Sequence, residues 1–237
     1  MKSLKNDIKL PELPGLKPSL AQDYCYQRLR HALMVGAINP GIAITIQEIA
    51  ESLDVSTTPV REALRQLCSE KALSALKNRR IQVPEMTRVR FNVLLDLRCT
   101  LEIFAGKCTL PYISSVKIYG LAEIDRAVDD ACTRNDWDAM VILNQQFHSE
   151  LYQIDPDQVV MPMIESLWLQ LGPFMRIAAK FQKELFLVDH HKAALEALRL
   201  NDATKLELAI EADIRSSIDQ LTPEMVETVL QNQTGAE

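Results

Sequence analysis

A mostly α-helical protein in two parts, a small basic front and a larger acidic helical body, is the fold class this sequence predicts. Three observations lead there. Hydrophobic residues make up 47% of the 237 and charged residues 24%, which suffices to bury a core and argues against disorder. Glycines number only seven and aromatics only 5%, while Leu, Ala, Ile, Glu, Lys and Gln, which favour helices over strands and turns, dominate the rest. The charge is also divided. Residues 1–84 hold twelve Lys and Arg against eight Asp and Glu, a net +4, whereas residues 85–237 hold fourteen against twenty-four, a net −10. The two parts should therefore meet different partners, the basic one a polyanion.

Some function classes drop out at this level. Residues 1–19 contain no apolar run of signal-peptide length, and nowhere do eighteen uncharged apolar residues follow one another, so neither secretion nor a membrane span is expected. The odd set Cys25, Cys68, Cys99, Cys108 and Cys132 contains no C-x-x-C pair. Such cysteines are expected as buried thiols of a reducing compartment, which points to the cytoplasm.

The elements follow in order. Residues 1–18 read as a flexible arm, with three prolines and a glycine between Lys9 and Pro18. A first helix is expected from an N-cap at Ser19, carrying Leu20, Tyr24, Leu29 and Leu33 on one face and stopping at Gly36; Asn39-Pro40-Gly41 is then a turn. Thr45 and Glu48 form a capping box for a second helix ending at Leu53. Asp54 and Val55 make a tight connection, and Ser56 caps a third helix that tolerates Pro59 in its first turn. Two short helices so joined predict a helix-turn-helix. In the third helix Val60, Ala63, Leu64 and Leu67 should face inward, and Thr57, Thr58, Arg61, Arg65 and Gln66 outward. The stretch from Leu76 to Val83 has strand, basic turn, strand character, closed by Pro84, so the front domain is expected over 19–84.

Beyond Thr87 every segment carries an apolar stripe at helical spacing: 87–109, 113–134, 136–153, 157–182, 184–200 and 202–221. An all-α bundle of about six helices is expected over 85–222. A short capped helix from Thr222 and a polar tail complete the chain over 223–237.

Two features carry chemistry. The helix opening Ser56-Thr57-Thr58 presents hydroxyls and free amides at a positive helix end, suited to phosphate, while Arg61 and Arg65, one turn apart, can reach a phosphate or a guanine edge. In the body, Asn144 and His148 interrupt the stripe of Met140, Leu143, Phe147 and Leu151 and share one helix face. His191 lies on the apolar side of the helix bearing Leu195 and Leu198, and Asp213 in the stripe of Leu206, Ala209, Ile210 and Ile214. His190 fits less well, because only alanines stand at 194 and 197. Buried polar groups without partners cost about 1–3 kcal/mol each. An amide oxygen, two imidazoles and a carboxylate could hold a divalent metal. They could equally satisfy one another, Asn144 bonding His148 beside a His191–Asp213 ion pair. Arg98 sits in the stripe of Leu94, Leu101 and Ala105; a carboxylate effector, or a salt bridge to Glu102 or Asp213, would satisfy it.

These residues resemble a known family. Pro40-Gly41, Glu48-Ile49-Ala50, the run Val55 to Leu64, Leu67 and Asn78-Arg79 are similar to the winged helix-turn-helix of the GntR transcription regulators. Asp96-Leu97-Arg98, Leu101-Glu102 and Asn144 to His148 resemble the FCD effector-binding domain of the FadR-like branch. The likeness covers roughly residues 20–221. It implies a homodimer on a palindromic DNA operator, with Ser56, Thr57, Thr58, Arg61, Arg65 and the wing residues Arg79 and Arg80 on DNA. It further implies a small carboxylate or sugar-acid effector at Arg98, beside a divalent ion (Zn, Ni or Mn) on Asn144, His148, His191 and Asp213. Four positions depart from the family pattern. Thr57 stands where Arg is frequent, Arg80 where the wing usually has Gly, Lys71 where Gly is common, and Asp213 in place of a third His. Without the wing glycine, Asn78 is expected to take the strained backbone conformation.

No catalytic residue is expected. The rival reading is a metal-dependent helical hydrolase, since Asp189-His190-His191 is similar to the motif of the DHH phosphoesterases, but that motif belongs on an α/β scaffold. A third reading is a helical interaction protein that does not bind DNA.

Overall fold

The computed structural model describes residues 10–13, 20–41, 43–76, 80–181 and 190–219. They form two compact units. The first runs to Arg88 and adds Trp168–Phe181; the second comprises Val89–Leu167 and residues 190–219.

In the first unit α1 (Ala21–Met34) is followed by β1 (Ala43–Thr45), α2 (Ile46–Leu53), α3 (Thr57–Ser69), β2 (Ser74–Ala75) and β3 (Arg80–Gln82). The three strands form an antiparallel sheet in the order β1-β3-β2, with Ile44 opposite Ile81 and Ala75 also opposite Ile81. Leu29, Leu33, Ile44, Ile49, Val60, Leu67 and Ile81 bury into one core under the sheet and helices. The capping box forms as expected: the Glu48 amide donates to the Thr45 hydroxyl at 3.1 Å, and the Thr45 amide donates to the Glu48 carboxylate at 2.7 Å. Asp54 then turns the chain in the left-handed region, φ 53°. Lys71, at a position where the family favours glycine, also takes positive φ, 63°; the fold thus keeps the left-handed turn and imposes it on a side-chain-bearing residue. The N-cap of α1 is Leu20, one residue beyond the expected Ser19, with no side-chain capping bond. Ser19, the turn containing Asn78 and Arg79, and the helix and tail after Thr222 lie outside the described residues.

Two expectations need correction here. Residues 10–13 are not a loose arm. Leu10 is buried, and Arg28 on α1 donates from Nε to the Pro11 carbonyl and from Nη2 to the Leu10 carbonyl, both at 3.1 Å, because a guanidinium fork can gather backbone oxygens that no strand or helix satisfies. The helix expected over 157–182 forms as α7 (Met161–Phe181), yet it does not belong wholly to the bundle. From Trp168 onward it groups with the first unit, where Leu169 enters the core. Gly172 is what permits this approach. A Cβ there would stand 2.6 Å from the carbonyl oxygen of Leu33 and 2.8 Å from that of Met34.

The second unit contains α4 (Arg88–Thr109, whose first residue closes the first unit), a 3-10 turn (Leu110–Tyr112), α5 (Ser115–Thr133), α6 (Trp137–Tyr152), the start of α7, α8 (His191–Leu200) and α9 (Ala203–Asp219). Asn135 and Asn201 end α5 and α8 in the left-handed region, φ 56° and 51°, a conformation Asn tolerates better than most residues. α4 is apolar on two sides. Phe91, Leu94, Leu95 and Ala105 are buried, while Val89, Val93, Leu97 and Phe104 form a second, exposed stripe.

Gly172→Ala places a methyl group against two backbone carbonyls that cannot swing aside. It should lower unfolding stability by about 1–3 kcal/mol in urea melts monitored by circular dichroism; an unchanged midpoint would refute the close approach of α7 to α1.

Candidate functional site

The first candidate surface is the exposed side of α3 and the wing. Thr58, Arg61, Arg65 and Gln66 are exposed, as is Arg80 on β3, and Thr57 is half-buried. Ser56 occupies the N-cap position, but its hydroxyl makes no capping bond, so the expected cap is formed by backbone geometry alone and the hydroxyl stays available at the helix end. Pro59 removes one amide from the first turn without loss. Arg65 reaches Glu62 at 2.8 Å, with both side chains well exposed; such a pair is worth at most about 1 kcal/mol and yields readily to a phosphate. Arg80 touches the Ala43 carbonyl through Nη2 at 3.2 Å. Between α3 and the wing lies a cleft whose apolar floor is Ile46, Leu64 and Ile81 and whose rim carries Arg61, Arg65 and Arg80. The structure thus gathers five of the seven residues expected on DNA at the exposed start of α3 and puts Arg80 across the cleft from them. Arg79 lies outside the described residues.

The second candidate is a buried polar centre inside the helical unit. One ligand atom from each of His148, His191 and Asp213 lies within 4.8 Å of the others. His148 and His191 are 2% and 1% exposed, held there by the apolar stripes they interrupt. Phe147 stacks on the His191 ring with centroids 3.9 Å apart. His148 Nε2 meets Asp213 Oδ2 at 3.0 Å, and His191 Nε2 stands 3.9 Å from Asp213 Oδ1. The His190 backbone amide also donates to Asp213 Oδ1 at 3.2 Å, so Asp213 of α9 serves the N-terminus of α8, where a carboxylate is favoured. Burial alone would raise the Asp213 carboxyl. The hydrogen bond from His148, the charges of His148 and His191 and the His190 amide outweigh it and hold the group well below the usual carboxylate range.

Each imidazole has a second partner on its Nδ1 side. His191 Nδ1 lies 3.1 Å from Asp125 Oδ1 on α5. His148 Nδ1 lies 3.2 Å from the Tyr152 hydroxyl, which donates to Glu102 Oε2 at 3.0 Å. Arg98 Nε in turn donates to Glu102 Oε1 at 2.6 Å. Burial pulls the Arg98 guanidinium down, but the Glu102 charge and hydrogen bond more than offset it, so Arg98 remains a cation.

The internal pairing matches the metal-free alternative in part. The His191–Asp213 ion pair is present at 3.9 Å, but His191 lies closer to Asp125, His148 takes Asp213, and Asn144 sits half-buried one turn before His148 on α6. The reason is register: α5 presents Asp125 to His191 at closer range than α9 presents Asp213. Of the two expected partners for Arg98, the structure selects Glu102, four residues along the same helix. Sequence reasoning missed Asp125 and Tyr152. Both carried a signal, since Asp125 interrupts the stripe of Leu121, Val128 and Ala131, and Tyr152 stands one turn beyond His148.

The comparisons with known proteins agree with this geometry. Residues 21–83 match the family described as bacterial regulatory proteins, gntR family, and residues 93–216 match the FCD domain. The HTH-type transcriptional regulator McbR of Escherichia coli (strain K12) is 30% identical over 61% of this chain and 66% of its own length, so the chain spans just under two thirds of that relative. The gluconate operon transcriptional repressor of Bacillus subtilis (strain 168) is 26% identical over 73% of this chain and 74% of its own. The solved structure of E. coli McbR/YncC superposes with a TM-score of 0.79 at 25% identity, covering 85% of this chain and 97% of that one. The family and these relatives are transcriptional regulators, not enzymes, which removes the hydrolase reading. With a winged helix-turn-helix in front and an FCD helical domain behind it, the chain belongs to the GntR family of transcription regulators.

Proposed function

We propose that the protein is a homodimeric, cytoplasmic regulator that binds a palindromic DNA operator and alters its DNA affinity when a small carboxylate or sugar acid binds its metal-bearing helical domain. The observation that carries the DNA reading is the arginine-rimmed cleft between α3 and the wing. In this reading the start of α3 enters the major groove. Ser56, Thr57 and Thr58 meet phosphate or base edges, Arg61 and Arg65 supply the base-reading and phosphate contacts, and Arg79 and Arg80 meet the backbone from the wing. A single module reads one half-site, so two copies are needed. The exposed stripe of Val89, Val93, Leu97 and Phe104 on α4 favours pairing, since a second copy would cover apolar surface that a monomer leaves in water. Among the described residues no helix is long and apolar enough to cross a membrane.

FCD domains can bind metal, and the donor set here fits one. Two imidazoles and a carboxylate suit Zn, Ni or Mn and leave coordination positions for water or an effector. Asn144, one turn before His148, is the fourth ligand in this reading. Both rings bonded on the Nδ1 side is the arrangement metal-binding histidines ordinarily have. When bound, the ion supplies a Lewis-acidic anchor for an effector carboxylate. Arg98 supplies a second anchor, and the Glu102 carboxylate it now holds is the kind of group an effector would present to it. The effector acts through the equilibrium between two arrangements of the bundle helices, and its differential affinity for them sets the change at the operator.

Arg61→Ala should weaken operator binding by about 1–3 kcal/mol in a fluorescence anisotropy titration at physiological salt, with the melting temperature unchanged. Equal affinity would refute α3 as the reading helix. His148→Ala should bring bound zinc, nickel and manganese to background in elemental analysis after dialysis; metal content equal to wild type would reject this centre.

A further inference from the structure

The outer partners of the two histidines determine more than their positions. The Tyr152 hydroxyl has one proton, and it is directed at Glu102 Oε2, 3.0 Å away. Arg98 donates to both oxygens of the same carboxylate, at 2.6 and 3.5 Å, so Glu102 acts as an acceptor. Tyr152 oxygen can then meet His148 only as an acceptor, and the proton in the 3.2 Å contact must belong to Nδ1. The same holds for His191, whose Nδ1 faces the acceptor Oδ1 of Asp125 at 3.1 Å.

If Nδ1 carries the proton in both rings, Nε2 carries the lone pair in both neutral rings. The two Nε2 atoms look toward the two oxygens of Asp213, at 3.0 and 3.9 Å. Acceptors facing acceptors at that range repel one another unless a cation lies between them, either the second proton of an imidazolium, as in the metal-free centre described above, or a metal ion that takes its place. We propose that Asp125 and the Tyr152–Glu102 pair are positioning residues that lock His191 and His148 into the Nδ1–H tautomer, so that both Nε2 lone pairs are aimed at a divalent cation held with Asp213. Arg98 is the far end of this chain. By anchoring Glu102 it orients Tyr152, so the group that receives an effector carboxylate in the reading above is joined by hydrogen bonds to a metal ligand.

The inference rests on the metal reading, and the experiment separates the two. Zinc affinity of the full-length protein is measured by competition with a chromophoric chelator for wild type and for Tyr152→Phe, which keeps the ring and removes the hydroxyl that accepts from His148 and donates to Glu102. Tyr152→Phe should bind zinc about 10–100-fold more weakly, with the melting temperature of the metal-free protein lowered but its helix content by circular dichroism unchanged. Affinity within twofold of wild type overturns the inference while leaving the metal site intact. A wild type that takes up no zinc overturns the metal reading and this inference with it. A measurement that needs no variant is long-range proton–nitrogen NMR of the zinc-loaded wild type. Both rings should show a protonated Nδ1 and a metal-bound Nε2, and a protonated Nε2 on either ring overturns the assignment.

Discussion

A carboxylate held between two buried imidazoles is the constraint from which the rest of the helical unit follows. Asp213 is low in acidity range because positive charge and donors surround it, not because water does. Removing one partner of a buried charged pair costs about 3–5 kcal/mol, so each histidine beside it needs a defined second partner. That demand places acids and a tyrosine on four different helices: Asp125 on α5, Tyr152 and His148 on α6, Glu102 on α4 and Asp213 on α9, with His190 and His191 at the start of α8. The apolar stripes hold the bundle together, but this set of pairings fixes which helix faces which, since a rotation of any one helix by one residue would bury a charge without a partner.

The front unit is organised differently. Its core is apolar, and its polar devices are local: a capping box at Thr45 and Glu48, left-handed turns at Asp54 and Lys71, and the Arg28 fork on the carbonyls of Leu10 and Pro11. These leave the arginines of α3 and the wing outward and only weakly engaged, as a surface meant for a polyanion requires. Buried charges in one unit hold one another, whereas exposed charges in the other await a partner.

Much of this was legible in the sequence because it depends on short-range rules. The capping box, the Pro59 position and the inward set Val60, Ala63, Leu64 and Leu67 are local patterns, and all four side chains are buried as expected. His148, His191 and Asp213 were legible because each interrupts an apolar stripe that faces the helical core. Their pairing was not, because partners 65 or more residues apart, such as His148 with Asp213 and His191 with Asp125, are set by helix rotation and register, which periodicity does not encode. The docking of Leu10 and the change of allegiance along α7 were hidden for a related reason. Both depend on one residue meeting a distant backbone, Arg28 on two carbonyls and Gly172 against α1.

In the proposed function a divalent cation would be held by Asp213 and the two Nε2 atoms. Crystals of full-length protein purified without chelators, with anomalous data collected at the manganese, nickel and zinc edges, address it most directly. The account predicts one anomalous peak within bonding distance of His148 Nε2, His191 Nε2 and an Asp213 oxygen. Flat anomalous density, with His148 still hydrogen-bonded directly to Asp213, would contradict it.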